Sequence, residues 1–178
     1  MSRLSAIRPE DATGAAADLF GKIRKAVGKV PNAYATIGTH SPAVLGAALT
    51  NDGILAGGKL SHADVEVVKL AVSEIVGCDY CLAAHTLVGR MQGLSDAAMK
   101  QARSGAASGN ARQDALVHFV RTLVTTKGTV AKEEVDAIRA AGFTEQEVIE
   151  VLFAISVITF TNLVNRVNDT TLDFPAAP

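Results

Sequence analysis

The stretch EVVKLAVSEIVGCDYCLAAH, residues 66–85, decides which fold and chemistry this chain can support. It holds the two cysteines of the protein, Cys78 and Cys81, and His85 follows the second cysteine by four residues. On an α-helix, residues at these spacings share one narrow face. Gly77, just before Cys78, is typical of a helix break and predicts that both cysteines lie in the first turn of a new helix. Exposed N–H groups and the helix dipole stabilise a thiolate there.

Glu66, at the start of this stretch, gains its interest from the same break. In one straight helix, Glu66 and His85 would lie about 28 Å apart. If the chain reverses near Gly77 into a helical hairpin, Glu66 lies 11 residues before the turn and His85 lies 8 residues after it. Their heights above the turn are then about 16 and 12 Å, which predicts a direct or water-bridged contact. Glu74 is the competing acid, but it stands only three residues before the turn.

Helical patterns extend along the rest of the chain. Apolar residues recur at three- and four-residue spacing, and no segment sustains the alternation of a strand. The predicted helices cover residues 11–27, 43–55, 62–76, 79–92, 96–104, 111–127, 132–141 and 145–169, with Pro31 and Pro42 between the first two. Ser61, Ser95 and Thr144 are the predicted N-caps. These patterns predict an all-α helical bundle that forms a single domain over residues 1–178.

Two segments of the chain resemble each other. LSHADVEVVKLAVSEI, which starts at Leu60, aligns without gaps with FTEQEVIEVLFAISVI, which starts at Phe143. One interpretation is an internal duplication of a helical unit, and the other is that two amphipathic helices with similar caps look alike by chance. In a duplication only the first copy kept reactive groups, because Ile149 stands where the first copy has Glu66.

Composition excludes several classes of protein. The formal net charge is −1 and aromatic residues make up 4%, which argues against a nucleic-acid binder. The uncharged stretch at residues 151–165 is shorter than the roughly 20 residues that cross a bilayer, so a buried core helix is expected rather than a membrane span. The first 20 residues lack the apolar core of a signal peptide. We therefore expect a soluble, cytoplasmic protein, where a cysteine pair is more often reactive than structural.

Other interpretations of the same residues remain open at this point. One is that the cysteines are small buried core residues, which the Cys-x-x-Cys spacing, the preceding glycine and the face shared with His85 disfavour. Two thiolates, an imidazole and the carboxylate of Glu66 also form a donor set for zinc. One chain has too few cysteines for an iron–sulfur cluster, and Leu82 stands where attached haem needs a histidine. Because Cys-x-x-Cys at a helix start also serves redox chemistry, the redox dithiol is favoured over zinc, and no cofactor and no bound metal are expected. Asn162, Asn165 and Asp169 recur at helical spacing and are assigned to an interface or a helix cap rather than to catalysis.

The pattern of Glu66, eleven residues, Cys78-x-x-Cys81, three residues and His85 resembles the alkylhydroperoxidase D-like branch of the carboxymuconolactone decarboxylase superfamily. The C-terminal run FTNLVNRVNDTTLDFP is similar to the tail of its peroxidase-related members. The resemblance implies an all-α fold that assembles into trimers or hexamers. It also implies that Glu66 and His85 draw the proton from Cys81, which attacks the peroxide, and that Cys78 resolves the sulfenic acid.

Tyr80 departs from this resemblance, because the best-known members carry a histidine directly before the second cysteine. The implied activity is that of a peroxide reductase supplied by a thiol reductant, either a lipoylated or a thioredoxin-like protein. Two alternatives stand beside it: a non-catalytic dithiol sensor, and a decarboxylase-type member whose activity would survive loss of both cysteines. The pattern identifies neither the hydroperoxide nor the electron donor.

Overall fold

A computed structural model describes residues 2–178, which form a short 3-10 helix at Pro9–Asp11 and nine α-helices with no β-strand. The helices are α1 (Gly14–Val27), α2 (Asn32–His40), α3 (Pro42–Ala56), α4 (His62–Val76), α5 (Asp79–Met91), α6 (Asp96–Ser104), α7 (Ala111–Thr125), α8 (Lys132–Ala140) and α9 (Glu145–Asn168). One apolar core draws residues from helices α2 to α9, and a second cluster ties α1 to α2 and α3. The prediction of an all-α fold is confirmed.

Helix α4 lies at the centre of the bundle, where it packs against α5, α6, α7 and α9. Its residues from Asp64 to Ser73 are all buried. A helix covered on all sides is apolar around most of its circumference, which accounts for its valines and leucines. Glu66 and Lys69 are buried charges in this central helix, and such groups need partners because desolvation alone makes them costly.

The chain reverses between α4 and α5 at Gly77. This glycine has φ 67° and ψ 50°, a left-handed conformation that strains any residue with a Cβ. Its N–H bonds to the carbonyl of Glu74, and the N–H of Cys78 bonds to the carbonyl of Ser73. This pair of bonds closes the end of α4 as a Schellman motif. The predicted helical hairpin is therefore confirmed.

The predicted N-caps are also confirmed. The Oγ of Ser61 accepts from the backbone N–H of Asp64 over 3.1 Å, and Ser95 caps α6 in the same way. Thr144 and Glu147 form a complete capping box at the start of α9. Each cap satisfies a backbone donor that the first turn of a helix leaves unpaired.

Helix α2 was not predicted, and it fills the gap that the sequence assigned to a connection between Pro31 and Pro42. It is short, and tertiary packing stabilises it because five of its nine residues are buried. Gly38 allows the close approach of α1, since a Cβ there would lie 2.4 Å from Cε1 of Phe20. The first helix was predicted to begin at residue 11, but α1 begins at Gly14 because Pro9–Asp11 form a separate 3-10 turn.

The two similar segments both form capped helices, α4 and α9, which pack together. Arg112 bonds Asp64 Oδ2 over 2.6 Å and Glu147 Oε1 over 3.0 Å, and these two acids stand at matching positions of the two segments. Ile149, the counterpart of Glu66, is 64% exposed. The second segment thus repeats the capped helix start of the first segment and its bond to Arg112, but it has no counterpart of Glu66.

Among residues 2–178, α9 is the helix that is long and apolar enough to cross a membrane by length and composition. One of its faces packs into the protein and buries Asn162, Asn165 and Asn168. These side chains bond to Ser73, Cys81, Thr36 and Thr170. Only 28% of the apolar window of α9 is buried, so the predicted buried core helix holds for this face alone. The opposite face is exposed and carries Ile149, Leu152, Leu163 and Val167.

Candidate active site

The two cysteines lie at the N-terminus of α5, as predicted. Cys78 is the N-cap residue, and its Sγ accepts from the backbone N–H of Cys81 over 3.4 Å. Both cysteines are free thiols, both are buried, and their Sγ atoms lie 2.7 Å apart. The predicted common face holds within the helix for Cys81 and His85. Cys78 has the non-helical angles φ −101° and ψ 89°, so helical geometry does not extend to it.

Glu66 and His85 form the direct contact that the hairpin predicted. Oε2 of Glu66 lies 2.8 Å from Nδ1 of His85, and the two side chains are 7% and 17% exposed. When Nδ1–H donates to this carboxylate, Nε2 is the basic nitrogen of the imidazole. His85 lies one turn after Cys81 on α5. The competing acid, Glu74, instead pairs with Arg103 over 2.6 Å.

Two buried asparagines on α9 complete the surroundings of the sulfurs, a role that the sequence analysis did not assign to them. Nδ2 of Asn165 donates to Sγ of Cys81 over 3.3 Å, and Nδ2 of Asn162 donates to Oγ of Ser73. The Oδ1 atoms of both amides are buried without a hydrogen-bond partner among the described residues. Buried acceptors are usually paired, so two unpaired amide oxygens on the helix that contacts Cys81 are unusual. Their spacing of three on an apolar helix was the available signal.

The surroundings of the two cysteines shift the pKa values of their thiols in opposite directions. The hydrogen bond with Cys81 lowers the pKa of Cys78 to about 7, helped by the N–H of Cys81 and the amide of Asn162 and opposed by burial. The hydrogen bond with Cys78, followed by burial, raises the pKa of Cys81. The first proton leaves readily because the remaining S–H donates to the thiolate. Loss of the second would place two negative charges on adjacent sulfurs.

A cavity of about 790 Å³ adjoins this site and is lined by Cys81, Glu66 and His85. Its other walls are mainly apolar and include Leu55, Val65, Val157, Ile158, Phe160 and Phe174. We call it the apolar cavity. Cys78 is not among its lining residues. Of the two cysteines, Cys81 is therefore the one that contacts a molecule bound here.

A second polar group lines the apolar cavity, and the sequence analysis missed it. Nζ of Lys69 bonds Oδ1 of Asp52 over 3.0 Å, and the hydroxyl of Tyr34 donates to Oδ2 of the same carboxylate over 3.1 Å. Burial, followed by the charge of Asp52, raises the pKa of Tyr34, so this phenol stays protonated. The signal for Lys69 was a charge inside the apolar run of α4, whereas nothing local marked Asp52.

Tyr80, which stands where the resembling family has histidine, anchors the C-terminal segment. Its hydroxyl accepts from the N–H of Ala33 and donates to Oδ1 of Asp173 over 2.7 Å. Asp173 also pairs with Lys29 over 3.1 Å, and Phe174 packs edge-on against the Tyr80 ring. Burial, with the nearby Asp173, raises the pKa of Tyr80, so it remains a neutral hydrogen-bond donor.

The arrangement of donors lends no support to the zinc interpretation. Among residues 2–178, no group of three or more His, Cys, Asp and Glu side chains is placed to hold a metal ion. Glu66 and His85 bond each other, and the two sulfurs bond each other. The four side chains therefore form two hydrogen-bonded pairs.

Residues 43–122 match the model of the carboxymuconolactone decarboxylase family. The fold matches that of an uncharacterised peroxidase-related protein with an alkylhydroperoxidase AhpD core from Ralstonia eutropha JMP134, with a TM-score of 0.86, 20% identity and coverage of 97% of this chain and 92% of that one. Residues 43–122 are thus similar to the carboxymuconolactone decarboxylase family, and the fold is that of an alkylhydroperoxidase AhpD core.

Other solved structures place this AhpD-like fold beside more than one activity. A peroxidase-related protein from Silicibacter sp. TM1040 has a TM-score of 0.78 at 20% identity, over 96% of this chain and 94% of that one. The debrominase Bmp8 in complex with 2,3,4-tribromopyrrole has a TM-score of 0.78 at 18% identity, over 97% and 92%. At these identities the similarity shows the fold alone. A sequence search among curated proteins gave no significant match.

Proposed function

We propose that this protein is a thiol-dependent hydroperoxide reductase that cycles between a Cys78/Cys81 dithiol and a disulfide. The match of residues 43–122 to the family model and the peroxidase-related neighbours support an antioxidant role in general terms. One observation carries the specific proposal: Cys81 lines the same cavity as the bonded pair Glu66–His85, and its sulfur lies 2.7 Å from that of Cys78.

The cycle begins with the first ionisation of the dithiol, whose proton passes to Nε2 of His85 while Glu66 stabilises the imidazolium. The proton that remains is shared between the sulfurs and moves to Cys78 as Cys81 attacks. The Cys81 thiolate takes the terminal oxygen of the hydroperoxide, the O–O bond breaks, and Cys81 becomes a sulfenic acid. The departing alkoxide takes the proton from His85 and leaves as an alcohol.

Disulfide formation completes the oxidation. The sulfur of Cys78 attacks the sulfenic sulfur of Cys81, the S–O bond breaks, and the hydroxide leaves as water with the proton of Cys78. Two thiols and one hydroperoxide thus give one disulfide, one alcohol and one water. The nearness of the sulfurs favours this step, because little movement is needed to reach the S–S bond length of about 2.05 Å.

The apolar cavity supports an organic hydroperoxide as the substrate. Burial of an apolar group contributes roughly 25 cal/mol per Å², an amount that hydrogen peroxide cannot gain. A volume of about 790 Å³ accommodates a substantial alkyl or aryl group. Asn165 also lines this cavity, and its Nδ2 donates to the sulfur of Cys81, where it supports the negative charge of the thiolate.

Assembly and location belong to the same proposal. The exposed face of α9 carries Ile149, Leu152, Leu163 and Val167 at helical spacing. Such a stripe on one helix supports a homo-oligomer, and the trimer or hexamer implied by the resemblance is our expectation. We also propose a cytoplasmic location, where thiol reductants keep the dithiol reduced between turnovers.

Intact-protein mass spectrometry with cumene hydroperoxide tests the function. We expect each equivalent to remove two hydrogens and both thiols, and dihydrolipoamide to restore them over many cycles. A single stoichiometric oxidation, with no turnover under any thiol, would support the sensor alternative. Thiols that do not react would exclude the peroxidase. Decarboxylase activity that survives loss of both cysteines would support the decarboxylase alternative.

Reductive debromination is a second candidate, because the apolar cavity suits an aryl bromide and a neighbour of the same fold is a debrominase. In that reaction the Cys81 thiolate takes bromine from the ring, the ring carbon takes a proton, and Cys78 displaces bromide to form the same disulfide. Bromide release from tribromopyrrole, faster than peroxide consumption at equal concentration, would favour this candidate over the first.

A further inference from the structure

A second pocket, of about 490 Å³, reaches the dithiol at Cys78. Its walls are Gly77, Cys78, Asp79, Tyr80, Asn165, Arg166, Asp169, Thr170, Thr171 and Leu172. Unlike the apolar cavity, it is bordered mainly by charged and hydroxyl-bearing residues. We call it the polar pocket. Cys78 lines it and Cys81 does not, which is the reverse of their positions at the apolar cavity.

Three groups separate the two spaces. Tyr80 and Asn165 line both of them. The C-terminal segment runs between them, with Leu172 on the polar pocket and Phe174 on the apolar cavity. Asp173, between these two residues, is bonded to Tyr80 and Lys29. The partition is thus held by hydrogen bonds and an ion pair.

We propose that the polar pocket is the binding site for the thiol reductant, so that oxidation and reduction of the dithiol use opposite sides of one disulfide. The inference rests on the proposed function for the origin of the disulfide. Asn165, whose Oδ1 has no hydrogen-bond partner among the described residues, also lines the pocket. The ligand is a thiol of low molecular mass or a thiol on a slender arm, because Cys78 is only 2% exposed and lies beyond the reach of a flat protein surface.

The direction of attack follows from disulfide chemistry. An incoming thiolate approaches one sulfur in line with the S–S bond, opposite the sulfur that leaves. From the polar pocket, this approach leads to Cys78. A bond forms from the reductant sulfur to Cys78, the bond between Cys78 and Cys81 breaks, and the electron pair passes to Cys81, which takes up the proton that the reductant thiol released on becoming a thiolate.

A second thiol completes the reduction. It attacks the reductant sulfur of the mixed disulfide, the bond to Cys78 breaks, and Cys78 leaves as a thiolate. The reductant departs as its own disulfide, so that two thiols are oxidised for each protein disulfide reduced. The low pKa of Cys78 depends on its hydrogen bond with Cys81, so the thiolate it forms on leaving is stabilised once Cys81 carries a proton.

Two matched variants test the proposal, one in each space. Leu172→Trp narrows the polar pocket, and Val44→Trp narrows the apolar cavity; the native side chains are 43% and 41% exposed, so both positions tolerate a larger residue. Oxidation by cumene hydroperoxide and reduction by dithiothreitol are measured separately by stopped flow. The disulfide for the second measurement is prepared with diamide, so it does not depend on peroxidase activity.

We expect Leu172→Trp to slow reduction by about tenfold or more and to change oxidation by less than about twofold. Val44→Trp should slow oxidation by about tenfold or more and change reduction by less than about twofold. The pocket assignment is overturned if Leu172→Trp leaves reduction unchanged, or if Val44→Trp slows reduction as much as oxidation. If the wild-type dithiol resists cumene hydroperoxide but Leu172→Trp still slows reduction of the diamide-made disulfide, the proposed function fails and the pocket stands.

A labelling experiment locates the sulfur that is reached from each side. Cys81→Ser leaves only Cys78, and Cys78→Ser leaves only Cys81; each is treated with methyl methanethiosulfonate. Adding Leu172→Trp should slow modification of Cys78 by about tenfold and leave that of Cys81 unchanged. Equal slowing of both would contradict separate entrances.

Discussion

Cys78 and Cys81 lie three residues apart and their sulfurs are 2.7 Å apart, yet their surroundings differ in almost every respect. Cys78 caps a helix, has a lowered pKa and borders a polar pocket. Cys81 lies within the helix, contacts a buried amide and borders an apolar cavity with a histidine–carboxylate pair. A single helix boundary thus gives two adjacent thiols different roles. Four experiments test this difference.

Loss of either sulfur should have the largest effect. Cys81→Ser removes the sulfur that faces the apolar cavity, so steady-state consumption of cumene hydroperoxide should fall at least about 10³-fold. Cys78→Ser should still react once and then stop as a sulfenic acid, because the resolving sulfur is missing. A coupled peroxide assay and intact mass measure both results. A stable sulfenic acid in Cys81→Ser, with none in Cys78→Ser, would show that Cys78 attacks the peroxide and Cys81 resolves the sulfenic acid.

Glu66→Gln should reduce oxidation next most strongly. The amide cannot stabilise the imidazolium of His85, so the second-order rate constant with cumene hydroperoxide should fall about 10²-fold. Glu74→Gln is the matched control on the same helix, because Glu74 pairs with Arg103 and does not line the apolar cavity. Equal effects of the two variants would remove Glu66 from the relay.

The pH profile should show which ionisation controls reactivity. A thiolate is the reactive form, so the oxidation rate should rise with pH through about 7, the lowered pKa of Cys78, and be lost below it. Cys81→Ala removes the hydrogen bond that lowers this value, so the pKa of Cys78 should return toward its ordinary value of about 8.5. Ultraviolet absorbance of the thiolate reports it. An unchanged pKa in Cys81→Ala would mean that the helix terminus alone sets it.

The smallest effect concerns the bend before Cys78. Gly77→Ala places a Cβ in a left-handed conformation with open space around it, so the free energy of unfolding should fall by about 1 kcal/mol from backbone strain. Gly21→Ala is the control, since Gly21 lies inside α1 with equal space, and alanine there should stabilise by about 0.5–1 kcal/mol. Urea unfolding measures both. A neutral Gly77→Ala would show that the turn adopts another conformation at no cost.

Much of the fold was predictable from local signals. The caps at Ser61, Ser95 and Thr144 and the break at Gly77 act over three or four residues, and the helices that they bound form as predicted. Helix α2 was missed because its stability comes from burial against α1 and α3, which local propensity does not report. The Glu66–His85 contact was also predictable from local signals. It follows from the turn at Gly77 and from the number of helical residues on either side of that turn.

The reactive pair, the hairpin and the histidine–carboxylate contact can be read from the sequence, since all of them lie within 20 residues joined by regular helices. Their surroundings come from helix packing. Asn165 reaches Cys81 from α9, Asp52 reaches Lys69 from α3, and Asp173 reaches Tyr80 from the C-terminal segment. These contacts join residues 17 to 93 positions apart, so they depend on how the helices pack rather than on any local pattern. The division of the dithiol between two cavities follows from that packing.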